Sequence, residues 1–205
     1  ALLPTEIALV PGFDVDHASV AAWKAPTAGI YAINATFRQL DWGQGGAAVK
    51  TTSGSVNWSA IFPNQNAPAA SFLQPVAMTA GESLYLIGNW GVGHNNMYDA
   101  IGLTATVTAV PGKGLVKGKI TDGVSGTPIE GATVQTPDGS VSTTSDSSGN
   151  YLLLLDQGAQ TLKVSKDGYT LQQRGVTVIE GEAITENFAL SVAITGIAGT
   201  IKTSS

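Results

Sequence analysis

The stretch GLVKGKITDG, residues 114–123, opens the most regular part of the chain and decides its fold class. Polar and apolar residues alternate along it until a turn signal, TDGVSGTP (121–128), interrupts the pattern. Short segments of this kind, separated by turns rich in Gly, Asp and Ser, continue to residue 191, as in all-β proteins. The predicted strands are 114–121, 132–136, 140–145, 150–155, 160–166, 174–179 and 183–191. Seven short strands at this spacing predict a β-sandwich.

Two of these segments indicate different places in a sheet. YLLLL (151–155) is apolar on both faces, which is typical of a central strand. TLKVSK (161–166) alternates between apolar and polar residues, which is typical of a half-exposed strand.

Residues 114–191 resemble the carboxypeptidase regulatory-like domain, a transthyretin-like sandwich. The motifs that carry the resemblance are Pro128-Ile129-x-Gly131-Ala132-x-Val134, Asp146-x-x-Gly149-x-Tyr151 and Gly168-Tyr169. We expect Gly131 to allow a tight entry into a strand, and Asp146 to cap the turn that Gly149 completes. Tyr151 and Tyr169 are expected to close the sandwich ends with an apolar ring and a wet hydroxyl. The resemblance implies a spacer or interaction module of exported proteins, without an active site.

The first half is similar, less specifically, to jelly-roll modules of secreted bacterial surface proteins and polysaccharide-degrading enzymes. The segments concerned are AAWKAPTAGIYAINATF (21–37), MTAGESLYLIGNWG (78–91) and YDAIGLTATVTAV (98–110). The fold class is therefore predicted to be all-β, with two antiparallel β-sandwiches in tandem. Because Pro and Gly punctuate TAVPGKG (108–114), we place the boundary there. The predicted domains are 1–110, with an N-terminal extension strand at 1–10, then 111–193, and a surplus strand at 194–205.

Composition excludes several classes of function. The chain has 205 residues, of which 12% are charged, and a net charge of −5, so a basic surface for nucleic acid is not expected. There is no cysteine for a disulfide or a thiolate metal site, and no apolar run long enough to span a membrane. Because the chain starts at Ala1 rather than Met, a mature, processed N-terminus is the natural interpretation, and an excised fragment is the alternative. We expect the protein to be secreted or on the cell surface of a bacterium or archaeon.

The loop GNWGVGHNNMYD (88–99) is the most suggestive candidate site. An indole can stack on a sugar ring, and amide and imidazole groups match sugar hydroxyls. The predicted carbohydrate-binding residues are Trp42, Trp90, Asn89, His94, Asn95 and Asn96. Trp58 can extend this platform if it lies at the same edge. The alternative is that Trp23, Trp58 and Trp90 fill the core, as indoles usually do.

A second candidate is FDVDH (13–17), which places Asp14 and Asp16 on one face of an extended segment. With Asp99 and backbone carbonyls, these carboxylates offer the hard oxygen ligands that Ca²⁺ prefers. The alternative is a solvated edge with turn-capping carboxylates, and Asp99 also suits the entry to a strand. Apart from this calcium site, no cofactor is expected.

Signals for catalysis are poor. His17 and His94 are the only histidines, and no Gly-x-Ser-x-Gly motif is present, so a Ser/His/Asp triad has little to draw on. The segment GKGLVKG (112–118) lacks the spacing of a dinucleotide-binding loop and opens a strand. We expect the protein not to be an enzyme.

The segment ITGIAGTIKTSS (194–205) repeats the opening of the second half. Its Ile197-x-Gly199-x-Ile201 has the pattern of Val116-x-Gly118-x-Ile120. One interpretation is a strand that adds to the sheet of another copy, since an unpaired strand beside open edges invites pairing. The segment 2–10 is a second candidate for that role. The other interpretation is the first strand of a further repeat.

Two principal functions follow. The first is a secreted structural or adhesive protein whose copies assemble into a filament or array by strand addition. The second is a carbohydrate-binding module of a larger protein that acts on polysaccharide. A plain surface spacer is a third interpretation.

Overall fold

The computed structural model of the chain describes residues 7–9, 18–40, 43–89 and 100–193. Within these ranges there are sixteen β-strands and no helix. They divide into two compact units. The first sandwich contains the described residues between Ile7 and Lys113 together with Glu180–Glu182, and the second contains Gly114–Ile179 and the described residues 183–193.

The first sandwich is a jelly roll. Its strands are β1 (Ile7–Leu9), β2 (Ser19–Lys24), β3 (Gly29–Gln39), β4 (Gly45–Thr51), β5 (Asn57–Phe62), β6 (Ala70–Met78), β7 (Ser83–Asn89) and β8 (Ile101–Ala109). They form two four-stranded sheets, in the orders β1-β8-β3-β6 and β2-β7-β4-β5. The antiparallel pairs are nested, with β4 on β5, β3 on β6, β2 on β7 and β1 on β8. A double ribbon that starts at the β4–β5 hairpin and wraps around itself gives this order, and the predicted jelly roll is confirmed.

The expected N-terminal extension strand is represented by β1, and β1 pairs within its own chain. Ile7 lies opposite Leu103, and Leu9 lies opposite Ile101. Ile7–Leu9 therefore completes the edge of a sheet in its own chain, and a role of 2–10 as a strand for another copy remains a prediction.

The core of the first sandwich forms because strand residues alternate between the two faces of each sheet. On β3 the inward side chains Tyr31, Ile33, Ala35 and Phe37 are buried, while Asn34 between them is exposed. The opposite sheet contributes Val49 from β4 and Leu84 from β7, both fully buried.

Two of the tryptophans belong to this core. The ring of Trp58 stacks on Phe37 with centroids 5.7 Å apart and lies 6.0 Å from the ring of Phe72. Trp23 meets Tyr31 edge to face at 4.9 Å. Trp58 thus packs against the core while it stays half-buried, and its extension of a sugar platform remains a prediction.

The Ala-Gly-Glu turn that precedes β7 is held by Glu82. Its carboxylate accepts hydrogen bonds from the Thr79 amide at 2.9 Å and from the hydroxyl of Ser53, which lies in the β4–β5 connection. Burial raises the pKa of Glu82, but the hydrogen bonds from Ser53 and Thr79 outweigh it, and this pKa lies below its ordinary value. The carboxylate therefore ties two neighbouring turns together.

The second sandwich contains the strands expected from the sequence. They are β9 (Lys113–Asp122), β10 (Thr133–Gln135), β11 (Ser142–Thr144), β12 (Asn150–Asp156), β13 (Gly158–Ser165), β14 (Gln172–Val178), β15 (Ala183–Thr185) and β16 (Phe188–Leu190). One sheet has the order β11-β10-β13-β14 and the other the order β12-β9-β15, with β16 also on β9. The sheets bury a mainly aliphatic core that includes Val116, Ile120, Leu153, Leu155, Leu162, Val164 and Phe188.

The order of the second sheet differs from expectation in two respects. Among the described strands, β9 rather than β12 is central, since β12 stands at the end of the order. The predicted strand 183–191 is divided into β15 and β16, which both pair with β9 in parallel. The division occurs where the side chain of Asn187 replaces a backbone partner, because its Oδ1 accepts from the Lys119 amide at 2.8 Å.

The turn residues act as the sequence predicts. Asp146 Oδ1 accepts from the amides of Ser148 and Asn150 at 2.9 and 2.8 Å, and Gly149 follows with φ of 79°. Gly131 enters β10 with φ of 67°, a left-handed conformation that glycine adopts without strain.

Candidate functional site

Because the predicted function depends on strand pairing, the strands that end each sheet of the second sandwich are the candidate site. Such strands present unpaired backbone groups to other chains. In the order of the described strands, β11 and β14 end one sheet, while β12 and β15–β16 end the other. These four edges differ in length, polarity and degree of closure.

The β15–β16 edge is closed by side chains of β14. Arg174 Nη1 donates to the carbonyl of Asn187 at 3.1 Å, and Gln172 Nε2 donates to the carbonyl of Ala189 at 2.7 Å. The guanidinium of Arg174 also pairs with Glu186 and lies 4.9 Å from the centroid of the Phe188 ring. With two carbonyls occupied and the strand divided, this edge is a poor template for another strand.

The division between β15 and β16 also explains the glycine of β9. A Cβ on Gly118 would lie 1.9 Å from the carbonyl oxygen of Glu186 and 3.0 Å from Cε1 of Tyr151. The Tyr151 hydroxyl donates to that same carbonyl at 2.6 Å. Val116 and Ile120, on either side of Gly118, are fully buried. The pattern Val116-x-Gly118-x-Ile120 thus describes a strand that buries two aliphatic side chains and packs its glycine against a tyrosine ring.

The hydroxyl of Tyr151 is less exposed to solvent than the sequence predicts. Its side chain is buried, and its hydroxyl is bonded inside the protein. Burial, followed by the charge of Glu186, raises the pKa of Tyr151 well above its ordinary range. Tyr169 fits the expectation better, since it is half-buried and its hydroxyl donates to Asp122 Oδ2 at 3.1 Å.

The β12 edge has a different character. Its inward residues Tyr151, Leu153 and Leu155 are buried, and Leu152 and Leu154 on the other face are half-buried. Seven residues long and apolar on both faces, β12 offers both hydrogen-bonding length and apolar surface.

The other two edges are less suitable. Strand β11 has only three residues. Strand β14 has seven, but Gln173, Gly175 and Thr177 along it are exposed, and two of its side chains are engaged with β16.

Most of the residues predicted to form sites lie outside the described ranges. Of the carbohydrate-binding set, only Asn89 is among the described residues, at the end of β7. It lies over β4, because a Cβ on Gly46 would be 2.1 Å from Asn89 Oδ1. The residues that lie outside the described ranges are Trp42, Trp90, His94, Asn95 and Asn96, the calcium candidates Asp14, Asp16 and Asp99, and Ile197, Gly199 and Ile201.

The described residues contain neither a metal-binding cluster nor a membrane-spanning helix. Within 18–40, 43–89 and 100–193, no three His, Cys, Asp or Glu side chains are grouped so that they could hold a metal ion. None of the described segments forms a helix long and apolar enough to cross a membrane.

Sequence reasoning missed the closure of the β15–β16 edge. Arg174, Gln172 and Glu186 received no role, although Glu186-Asn187 interrupts the apolar alternation of AITENFAL (183–190). A polar pair inside a strand pattern is a signal for a division or a bulge. The sequence pattern could not reveal that β14 supplies the capping side chains.

Solved structures similar to the chain include two pilins and a cohesin–X-dockerin complex. A cohesin–X-dockerin complex of Acetivibrio cellulolyticus is 22% identical over 42% of this chain, with a TM-score of 0.34, and the match spans 62% of that chain, less than two thirds of its length. A minor pilin of Streptococcus agalactiae is 14% identical over 86% of this chain and 88% of its own, with a TM-score of 0.36. A shaft pilin of Lactobacillus rhamnosus is 11% identical over 95% of this chain and 99% of its own, with a TM-score of 0.31. With TM-scores this low, these likenesses transfer no function.

The comparison at the level of families is specific. No curated protein matches the chain. The model of the carboxypeptidase regulatory-like domain matches residues 115–191, the range over which β9 to β16 form the second sandwich. Residues 115–191 are therefore a carboxypeptidase regulatory-like domain.

Proposed function

We propose that the protein is a non-catalytic structural or adhesive protein, secreted or at the cell surface, whose copies assemble by β-strand addition. The added strand is 194–205. The protein has three functional parts, namely a jelly roll at 1–110, the regulatory-like sandwich at 111–193, and this surplus strand.

The main support is the role of the pattern that 194–205 repeats. In β9 the pattern places Val116 and Ile120 in the core and leaves room at Gly118 for the Glu186 carbonyl and the Tyr151 ring. Ile197, Gly199 and Ile201 reproduce that pattern of two aliphatic residues around a glycine. A segment with these residues is suited to join a sheet of this kind, and strand addition at a sheet edge supplies affinity through backbone hydrogen bonds.

Composition supports the extracellular setting. The chain combines 12% charged residues with no cysteine. The regulatory-like domain type implies a role as spacer or interaction module.

The test is the native mass of the full chain against a variant lacking 196–205, measured by multi-angle light scattering. We expect oligomers for the full chain and monomers for the variant. A matched pair of substitutions makes the test sharper. Gly199→Val places a side chain where the pattern requires none and should abolish oligomers, whereas Thr200→Val changes the neighbouring face and should preserve them. Unchanged mass after deletion would refute strand addition.

Carbohydrate binding is the second candidate, and it has one observation in its favour. The outer face of the sheet β2-β7-β4-β5 carries the half-exposed ring of Tyr85 on β7 and the side chain of Asn57 on β5, which lie on either side of Lys50 of β4, with Asn89 further along β7. Aromatic and amide groups on one face suit a neutral polysaccharide. Affinity electrophoresis in gels that contain polysaccharide tests this candidate, with retardation of the protein lost in Tyr85→Ala, Trp42→Ala or Trp90→Ala.

A further inference from the structure

We infer that the acceptor for residues 194–205 is the β12 edge, Asn150–Asp156, of a second copy of this chain. This inference rests on the proposed strand addition and adds the place at which it occurs. It follows from a comparison of the four edges of the second sandwich and from what already lies beside β12.

Three edges are unsuited to a new strand. The β15–β16 edge is divided, and its carbonyls accept from the side chains of Arg174 and Gln172. Strand β11 offers three residues, and strand β14 is polar and exposed along most of its length. An added strand gains little apolar burial on any of them.

Strand β12 offers apolar surface on both faces. Tyr151, Leu153 and Leu155 face the core, and Leu152 and Leu154 lie half-buried on the other face. A long edge of this kind is unfavourable unless something covers it, because apolar edge strands pair with other chains. The ten-residue segment 196–205 has the length to cover seven residues.

The neighbour of β12 inside the sheet shows which sequence suits it. That neighbour is β9, and its Gly118 lies against the ring of Tyr151, which projects from β12. An aromatic side chain that covers a glycine on the adjacent strand stabilises a sheet. The ring of Tyr151 is taken up on the side of β9, and a strand on the other side of β12 meets the backbone of β12 with the same alternation of inward and outward residues. The segment with Gly199 between Ile197 and Ile201 has the pattern that already pairs with β12.

The absence of cysteine from the sequence allows a direct test. One population of the full chain carries Thr200→Cys in the segment, and a second, enlarged by a fused tag, carries Leu152→Cys on β12. The two are mixed and treated with a short bis-maleimide cross-linker. The tag identifies a heterodimer by its mass on a denaturing gel. The matched control replaces Leu152→Cys with Gln173→Cys on the β14 edge of the other sheet.

We expect a cross-linked heterodimer when the tagged chain carries Leu152→Cys, and no heterodimer when it carries Gln173→Cys. Leu154→Cys, two residues along on the same face, should also give the heterodimer, and it serves if Leu152→Cys does not fold. Adding Gly199→Val to the Thr200→Cys chain should remove the product.

The remaining outcomes separate the inference from the proposed function. Cross-linking to Gln173→Cys, or to neither edge while deletion of 196–205 still lowers the native mass, overturns the β12 assignment and leaves strand addition standing. Unchanged native mass after the deletion overturns both. A chain with Thr200→Cys and Leu152→Cys together that cross-links only within itself shows that the occupant belongs to the same copy, and this also overturns the inference.

Discussion

The first strands of the two sandwiches occupy opposite places in their sheets. Strand β1 has three residues, lies at an edge and pairs with the last strand of its sandwich, β8, in an antiparallel ladder. Strand β9 has ten residues, lies between β12 and β15, and pairs with the last two strands of its sandwich in parallel. The side chains and backbone of a central strand must fit a neighbouring strand on both sides, whereas those of an edge strand must fit a neighbour on one side only.

The two cores differ in a related way. The first sandwich relies on a few large rings, with Trp58 between Phe37 and Phe72. The second relies on aliphatic side chains and on a close backbone approach at Gly118. We therefore expect the first to be most sensitive to loss of volume and the second to gain of volume.

The largest effect is expected for Trp58→Ala. Removing an indole that is packed between two phenylalanine rings leaves a cavity, and about 3 kcal/mol of the free energy of unfolding should be lost. All four tryptophans precede residue 110, so tryptophan fluorescence during urea unfolding reports on the first sandwich. Trp58→Phe is the control and should recover much of the loss. A change below about 1 kcal/mol for Trp58→Ala would show that this ring is not part of the core.

The next effect is expected for Gly118→Ala. The added methyl would lie 1.9 Å from a backbone oxygen, so β9 or the Glu186 segment must shift, at a cost of about 2 kcal/mol. Gly175→Ala is the matched control, because its nearest neighbour, the Gln160 carbonyl oxygen, is 3.9 Å away and its φ is not left-handed. Urea unfolding followed by far-ultraviolet circular dichroism measures both variants. Equal stability of the two would contradict the contrast between central and edge positions.

This contrast also explains what could be predicted from the sequence. The strands of the second sandwich were predicted within a few residues, because close packing around β9 and the turns at Asp146 and Gly131 restricts which residues are allowed. The position of β12 at the end of its sheet among the described strands was not predicted, because two apolar faces indicate burial and do not reveal which neighbour provides it. The closure of the β15–β16 edge was harder to predict from the sequence. The caps on Asn187 and Ala189 come from β14, and contacts between strands distant in sequence leave no local pattern.

A smaller effect is expected for Tyr151→Phe. The variant keeps the ring against Gly118 and loses the hydrogen bond to the Glu186 carbonyl, which should cost about 1–2 kcal/mol. Burial raises the pKa of Tyr151 in the folded state, so its contribution is fully present below the ordinary tyrosine pKa of 10.0 and is lost as the pH rises through the folded value. Circular dichroism between pH 8 and pH 12 should therefore show a weaker alkaline loss of stability in Tyr151→Phe. An identical alkaline profile in both proteins would contradict this role of the hydroxyl.

The smallest effect concerns acid stability at the first turn of the second sandwich. The amides of Ser125 and Val124 donate to Asp122 Oδ1 at 2.8 and 2.9 Å and lower the pKa of Asp122 from 3.8 to about 2. Because the pKa is lower in the folded state, this contribution is present above about pH 4 and is lost as the pH falls through about 2. The midpoint of urea unfolding, measured between pH 2 and pH 5, should therefore depend less on pH in Asp122→Asn than in the unmodified chain.

Tyr169→Phe is the control that separates the two kinds of partner of Asp122. The Tyr169 hydroxyl contributes less to the lowered pKa of Asp122 than the two amides do, so this variant should keep most of the acid dependence. If Tyr169→Phe removed as much of it as Asp122→Asn, the tyrosine rather than the turn would hold the carboxylate. The turn after β9 would then depend on a contact with a residue distant in sequence, as the side-chain caps on β16 do. The fact that TDGVSGTP alone predicts this turn would then need another explanation.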